Sequence, residues 1–347
     1  MKVFDYPDVV ATDDYSNKRL YDETVALKIP QILEGYSLVV LAYGQTGSGK
    51  THTMIGKLGV FKNPPSENLD NLDENLGLFP RAALEILQGL KQRKEKTVMT
   101  IAMCESNAVQ PIDLTSKGPI WLDVNSNEMM GGVEHIIESN EDIFKLGAMF
   151  ESERSCGATK FNAFSSRSFA VIWIKIYTLV GPDKIRINHV KILDLAGSER
   201  VGQINEKDEH EGCSIMINLT LTTMSQIMSL LSEMKNPIND GKEIPRAIPW
   251  KWNLVTRSMK EGFNGLAFTS FIFCAQSHDH NSGETYATLI YGERYKKLKG
   301  RVIIPPPISI SAEIQKIEKR IETTKKSNAN IENSNRQQKK MYEFSRL

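Results

Sequence analysis

Residues Gly44, Gln45, Thr46, Gly47, Ser48, Gly49, Lys50 and Thr51 spell G-Q-T-G-S-G-K-T, an instance of G-x-x-x-x-G-K-[ST]. That spacing suits phosphate chemistry. Glycines at 44, 47 and 49 allow backbone N–H groups to turn inward on a β-phosphate, where a Cβ would obstruct. Lys50 would neutralise β- and γ-phosphate oxygens, and the Thr51 hydroxyl would ligate Mg²⁺. The alternative is a glycine turn with no ligand. Context opposes it: the apolar run "SLVVLAY" ends at Tyr43, and the residues after Lys50 can continue as a helix whose N-terminus adds partial positive charge.

A phosphate cradle only binds; hydrolysis also needs groups that sense the γ-phosphate and position water. Two other stretches offer them. "VKILDLAGSER" is an apolar run ending in Asp194, a place for a carboxylate behind Mg²⁺, followed by Gly197 and Glu199. "NAFSSRSF", from Asn162 to Phe169, gathers Ser165, Ser166 and Arg167 just before another apolar run. Taken alone, such a serine cluster is more often a solvated turn.

These groups need a scaffold. Strand-like runs ("SLVVLAY", "TVMTIAMCES", "SFAVIWIKIYTLV", "RINHVKILDLAG", "LAFTSFIFCAQS") alternate with helix-like segments such as "PRAALEILQGLKQRK" and "EDIFKLGAMFESERSC". The alternation predicts an α/β fold of the P-loop NTPase kind, with a central, mostly parallel, twisted sheet flanked by helices on both faces. "GKLGVFKNPPSENLDNLDENLG" reads as a long exposed loop. At 347 residues the chain can bury a large core, and its net charge of +1 argues against a general polyanion partner such as nucleic acid. The apolar runs have strand length and are too short to insert across a bilayer, and "KVFDYPDVV" after Met1 has no apolar signal core. Four scattered cysteines read as reduced thiols in the cytoplasm. After about residue 300 the character changes: "RVIIPPPISIS" breaks regular structure and stiffens the chain. Beyond it, Ile314, Ile317 and Ile321 share one face of what could be a short helix, a coiled-coil start or a fraying tail.

Together the motifs resemble the kinesin motor domain over nearly all of residues 4–300. "AYGQTGSGKTHTM" is similar to the kinesin P-loop, "NAFSSRSF" to the first switch (N-x-x-S-S-R-S-H) and "DLAGSER" to the second. "INLTLTTMSQIMSLL" resembles the long helix after the second switch, with Asn218 at its expected Asn. "IPWKWNLVTRSMKEGFNG" resembles the microtubule-facing loop and helix, and "ETYATLIYGERYKKLKG" the final motor helix. The resemblance implies a motor domain over residues 1–300 and a neck and tail over 301–347. It implies ATP and Mg²⁺ as ligands, with Thr51, Ser166 and Asp194 around the metal and His52 near the adenine. Asn162 and Ser165 would lie near the γ-phosphate and its water, and the Gly197 N–H would bond that phosphate. Arg167 and Glu199 would close the switches as an ion pair. The implied activity is microtubule-stimulated ATP hydrolysis driving movement in the cytoplasm on the microtubule cytoskeleton, at the spindle or cilium among other places. Oligomers would form through sequence C-terminal to the motor.

The chain also departs from the pattern. The family has a strand with an R-x-R-P adenine clamp well before the stretch matching "FDYPDVV", and only Met1 to Val3 precede that stretch here, so the strand is expected to be missing. Phe169 replaces the switch histidine, either as a core substitution or as a loss of switch coupling, since a phenyl ring makes none of imidazole's hydrogen bonds. Leu219 and Leu254 stand where track-facing lysines are expected, leaving Lys251, Arg257 and Arg200 to meet an acidic tubulin surface. Trp250 and Trp252 would then serve either packing or an apolar track contact. These departures keep a second function open: a kinesin-like structural protein on microtubules with little or no motility.

Overall fold

A computed structural model describes residues 15–66, 68–106, 111–122, 129–130, 132–160, 168–198, 211–233, 248–276, 282–319 and 321–322. The phosphate-loop strand β1 (Leu38–Gly44) is buried along its whole length. It pairs in parallel with β8 (Lys184–Asp194) on one side and β9 (Phe268–Cys274) on the other. Outward from β8 come β7 (Phe169–Gly181), β2 (Thr97–Ser106) and β3 (Pro111–Asp113), all antiparallel to their neighbours. Short strands β6 (His135–Ile136) beside β2 and β10 (Ile308–Ser309) beside β8 extend the sheet, while β4 (Trp121–Leu122) and β5 (Met129–Met130) pair apart. The α/β fold thus matches the expectation, in a mixed sheet whose parallel pairing centres on β1. The antiparallel share is larger than strand–helix alternation implies. β7 and β8 are joined by the tight Gly181–Lys184 turn, with no room for a crossover helix.

Alternation along β1 sends Val40 and Ala42 to one face and Val39, Leu41 and Tyr43 to the other. Helices α1 (Asn17–Glu23), α2 (Ile29–Glu34), α4 (Leu78–Lys91) and α5 (Asn140–Lys160) cover the first face. Helices α6 (Glu211–Glu233), α7 (Leu254–Phe263) and α8 (Ser282–Tyr295) cover the second. The short α3 (Lys50–Met54) follows the phosphate loop. Pro30 in the first turn of α2 follows a 3₁₀ turn at Ala26–Lys28, which separates α2 from α1. The polar loop at 56–77 is not wholly exposed. Phe61 is buried against Phe144, 5.4 Å between ring centroids, where Gly147 leaves it space.

The segment after α8 runs back along the core. Ile303 N donates to Leu266 O at 3.2 Å, and Ile308 and Ser309 pair with Ile185 and Lys184 of β8. Asp183, in the β7–β8 turn, accepts from the Ser309 and Ser311 hydroxyls and the Ser311 N–H, at 2.7, 2.7 and 3.0 Å. Those hydrogen bonds hold its carboxyl below the usual range. Residues 310–319 then form a helix on which Ile314 and Ile317 are exposed.

Candidate nucleotide site

Backbone geometry alone explains the first and last glycines of the loop. A Cβ on Gly44 would fall 1.9 Å from the Cys274 carbonyl oxygen on β9, so no side chain fits there. Gly49, at φ +93°, caps α3 in the left-handed region that L-residues rarely adopt. Ser48 N and Oγ both donate to Gln45 O, at 3.3 and 2.8 Å, closing the loop on itself. Lys50 is buried beneath it, with Nζ 2.8 Å from Gly44 O and 2.7 Å from Gln45 O. Thr46, Thr51 and His52 are exposed, and the His52 carbonyl accepts from the buried Asn17 amide at 2.8 Å.

Thr51 Oγ1 donates to Asp194 Oδ2 at 2.6 Å, joining the start of α3 to the end of β8. A third residue completes this node. Arg154 of α5 places Nη1 2.9 Å from the same oxygen, and the Arg154 and Asp194 side chains are only 5% and 3% exposed. Asp194 Oδ1 is buried with no hydrogen-bond partner among the described residues. An unused carboxylate oxygen beside a hydroxyl is a hard oxygen donor set, and it fits a hydrated Mg²⁺. Past Asp194 the chain returns to the loop, where Ser198 N donates to Gly44 O at 3.1 Å and brings the buried Gly197 alongside. Asn162, Ser165, Ser166, Arg167 and Glu199 lie outside the described residues, as does Arg200.

Several groups around the loop were not read from the sequence. The buried Glu105 on β2 accepts from the Ser168 hydroxyl at 2.5 Å, fixing the residue that follows the serine cluster. Gln276, after β9, bonds both Gln45 and Gly47. Tyr43 stacks on Tyr291 of α8 with centroids 4.2 Å apart, and burial pushes its phenol up to about 12 against a hydrogen bond with Ser198. Burial likewise pushes the Cys274 thiol up to about 11. Arg154 had a legible signal. Ile143, Gly147, Phe150 and Arg154 form one helical stripe, and a charge in a buried stripe demands a partner.

The departures also find their places. Phe169 is buried in the core cluster that holds Cys104, Ile120 and Leu195, which makes it a packing residue. Leu254 is only 1% exposed, in the first turn of α7, so the expectation that it occupies a track-facing position is corrected. Its side chain points into the core because Asn253 caps the helix, accepting from Thr256 N at 2.9 Å and turning the next residue inward. Leu219 on α6 is 38% exposed, so it does face solvent. Trp250 is buried and packs, whereas Trp252 is 48% exposed.

Comparison with known proteins decides the family. A family model described as the kinesin motor domain matches residues 1–298. The chain belongs to the kinesin motor family. Among its kinesin relatives, Kinesin-like protein Klp61F of Drosophila melanogaster is 30% identical over 297 residues, 81% of this chain and 26% of that protein. Kinesin-like protein KIN-UA of Oryza sativa subsp. japonica is 28% identical over 343 residues, 91% of this chain and 34% of that protein. The chain therefore spans about a quarter to a third of the length of these kinesin relatives. Two solved kinesin structures share the fold at 24% identity and a TM-score of 0.70. One is a fast kinesin, with 87% of each chain covered, and the other a KIF14 dimer in complex with a microtubule, with 87% and 84% covered. Among the described residues, no helix of this kinesin domain is long and apolar enough to cross a membrane.

Proposed function

We propose that this kinesin domain hydrolyses ATP, binds microtubules, and passes the state of its nucleotide to the segment after residue 300. The observation that carries the reading is the Thr51–Asp194–Arg154 node directly beneath the glycine loop. It joins the phosphate-loop helix, the strand of the second switch motif and the helix that leads into the first. In this reading Lys50 exchanges the carbonyls of Gly44 and Gln45 for phosphate oxygens. Thr51, Ser166 and Asp194 would hold Mg²⁺, which when bound supplies positive charge against the β- and γ-phosphate oxygens. Asn162 and Ser165 orient the attacking water, Gly197 senses the γ-phosphate through its N–H, and Arg167 with Glu199 closes the switches. His52 would lie near the adenine. A closing ion pair that depends on γ-phosphate is a two-state latch, the element a motor requires.

β8 offers a route for the output. It carries Asp194 at one end and pairs with Ile308 and Ser309 at the other, so one rigid strand spans the nucleotide node and the C-terminal segment. The track partner would be tubulin, met by Lys251, Arg257 and Arg200, with a location on cytoplasmic microtubules. Exposed Ile314 and Ile317 favour pairing with another chain, of the same or a different kind. The exposed Leu219 and Trp252 favour a second reading, a structural microtubule-binding kinesin with weak motility. Steady-state ATP turnover with and without microtubules separates the two. A motor should be strongly stimulated, and turnover that microtubules leave unchanged would sink the motor reading.

A further inference from the structure

We infer that Gln276 is a strap across the phosphate loop that sets how fast nucleotide leaves. The inference rests on the nucleotide-site reading above and assigns that site a residue outside its motif. Gln276 lies in the connection between β9 and α8. Its Nε2 donates to Gly47 O at 2.9 Å, and its Oε1 accepts from Gln45 Nε2 at 2.9 Å. The Gly47 carbonyl can only accept, so it fixes which way the Gln276 amide faces. That in turn leaves Oε1 to receive the buried Gln45. The two contacts land on either side of Thr46, at the crown of the loop.

The contact to Gly47 also sets the loop's polarity. A peptide's N–H points opposite to its C=O, so drawing the Gly47 carbonyl outward to Gln276 turns the Ser48 N–H inward. There it meets Gln45 O at 3.3 Å, beside the Lys50 ammonium. An inward N–H is what a phosphate needs, and holding it so before binding removes an ordering cost. The strap is anchored from behind: the Gln276 backbone carbonyl accepts from Thr285 Oγ1 of α8 at 2.8 Å. α8 is itself fixed to β1 through the Tyr43–Tyr291 stack. A loop held in this conformation keeps its N–H aimed at the phosphate, so loosening the strap should weaken the hold and speed release.

The test is release of Mg²⁺-bound N-methylanthraniloyl-ADP from the full chain, chased with unlabelled ATP. Two hydrogen bonds of ordinary strength give Gln276→Ala a release rate roughly three- to tenfold faster than wild type. The same variant should raise the KM for ATP with little change in kcat. Gln276→Glu keeps the bulk and the acceptor for Gln45 but offers Gly47 no donor, so it should also release fast. Adding Gln45→Ala to Gln276→Ala should accelerate release no further. Wild-type release by Gln276→Ala or by Gln276→Glu overturns the strap, as does faster release matched by an equal loss of folding stability. Failure of the nucleotide reading is separate and visible: the wild-type chain itself would not bind the labelled ADP.

Discussion

Arg154 reaches across from α5 to place Nη1 2.9 Å from Asp194 Oδ2, the oxygen that also accepts the Thr51 hydroxyl at 2.6 Å. The pair is nearly solvent-free, and its two strands of logic differ. Removing both charges together costs little, because desolvation offsets most of the attraction. Removing Arg154 alone strands a buried carboxylate. Arg154→Met should therefore destabilise the fold by about 3–5 kcal/mol, while Arg154→Met with Asp194→Asn should lose distinctly less. Urea denaturation of the two single variants and the double variant measures the coupling. Single-site losses that simply add would mean that the pair is not the joint described.

Lys50→Ala and Thr51→Ala should each remove most Mg·ATP affinity. The first deletes the buried ammonium that Gly44 and Gln45 now hold, and the second the hydroxyl bonded to Asp194. Among the described residues, α3 carries no other lysine or arginine to replace Lys50. Isothermal titration with Mg·ATP tests this, and affinity equal to wild type in either variant would displace the phosphate site from the loop.

The loop, Asp194 and the layered architecture were legible because each rests on local pattern. Glycine spacing, a strand-length apolar run and alternation of elements are all readable within a dozen residues. What stayed hidden depends on distant pairing. Gln276 reaches Gln45 across 231 residues, and Ser168 reaches Glu105 across 63, distances over which sequence carries no contact information. Leu254 misled for a related reason. The family pattern places a residue type at that position, but the Asn253 cap and the neighbouring core decide which way the side chain turns. The extent of antiparallel pairing was less legible, because Gly181–Lys184 is a short turn between two long runs, and its hairpin geometry has to be weighed against the alternation around it.

The distal end of the sheet should make stability depend on pH. Trp173 Nε1 donates to His189 Nδ1 at 3.0 Å, so that nitrogen must be unprotonated in the folded chain. Burial pushes the His189 imidazole down to about 4; Glu261 and Glu134 oppose this, and Lys191 and Lys175 add to it. The unfolded ring titrates near 6.5. Between these values the unfolded state binds more protons, so stability rises with pH across that window. It should be fully present above 6.5 and lost as pH falls toward 4, with about 2 kcal/mol gone by pH 5. Glu261 does not confuse this range. Burial alone would raise its carboxyl, but Lys191 at 2.9 Å and the adjacent His189 hold it at about 2. Thermal melts from pH 7.5 to 5 should show a shallower fall for His189→Gln, and an equal slope in both proteins would assign the pH dependence elsewhere.

Leu219 and Leu254 make the sharpest contrast, because the same substitution should do opposite things at the two positions. Leu254 is buried in the cluster with Trp250, Val255 and Met259, so Leu254→Lys forces a charge into apolar surroundings and should cost several kcal/mol. Leu219, on the exposed side of α6, should accept lysine within about 0.5 kcal/mol in folding stability. Its neighbour Thr220 accepts from the Asn253 amide, which brings the exposed Trp252 close by across the α6–α7 junction. If that surface meets acidic tubulin chiefly through charge, Leu219→Lys should tighten microtubule binding by speeding association, and the gain should shrink with added salt. If Leu219 and Trp252 instead make an apolar contact, the same change should weaken binding, by about 2 kcal/mol for a fully buried leucine, and salt should matter little. Co-sedimentation at two ionic strengths gives opposite signs for these two surfaces. Absence of binding by both proteins in every nucleotide state would remove the microtubule from the proposal altogether, leaving a nucleotide-dependent latch whose output is read by another partner.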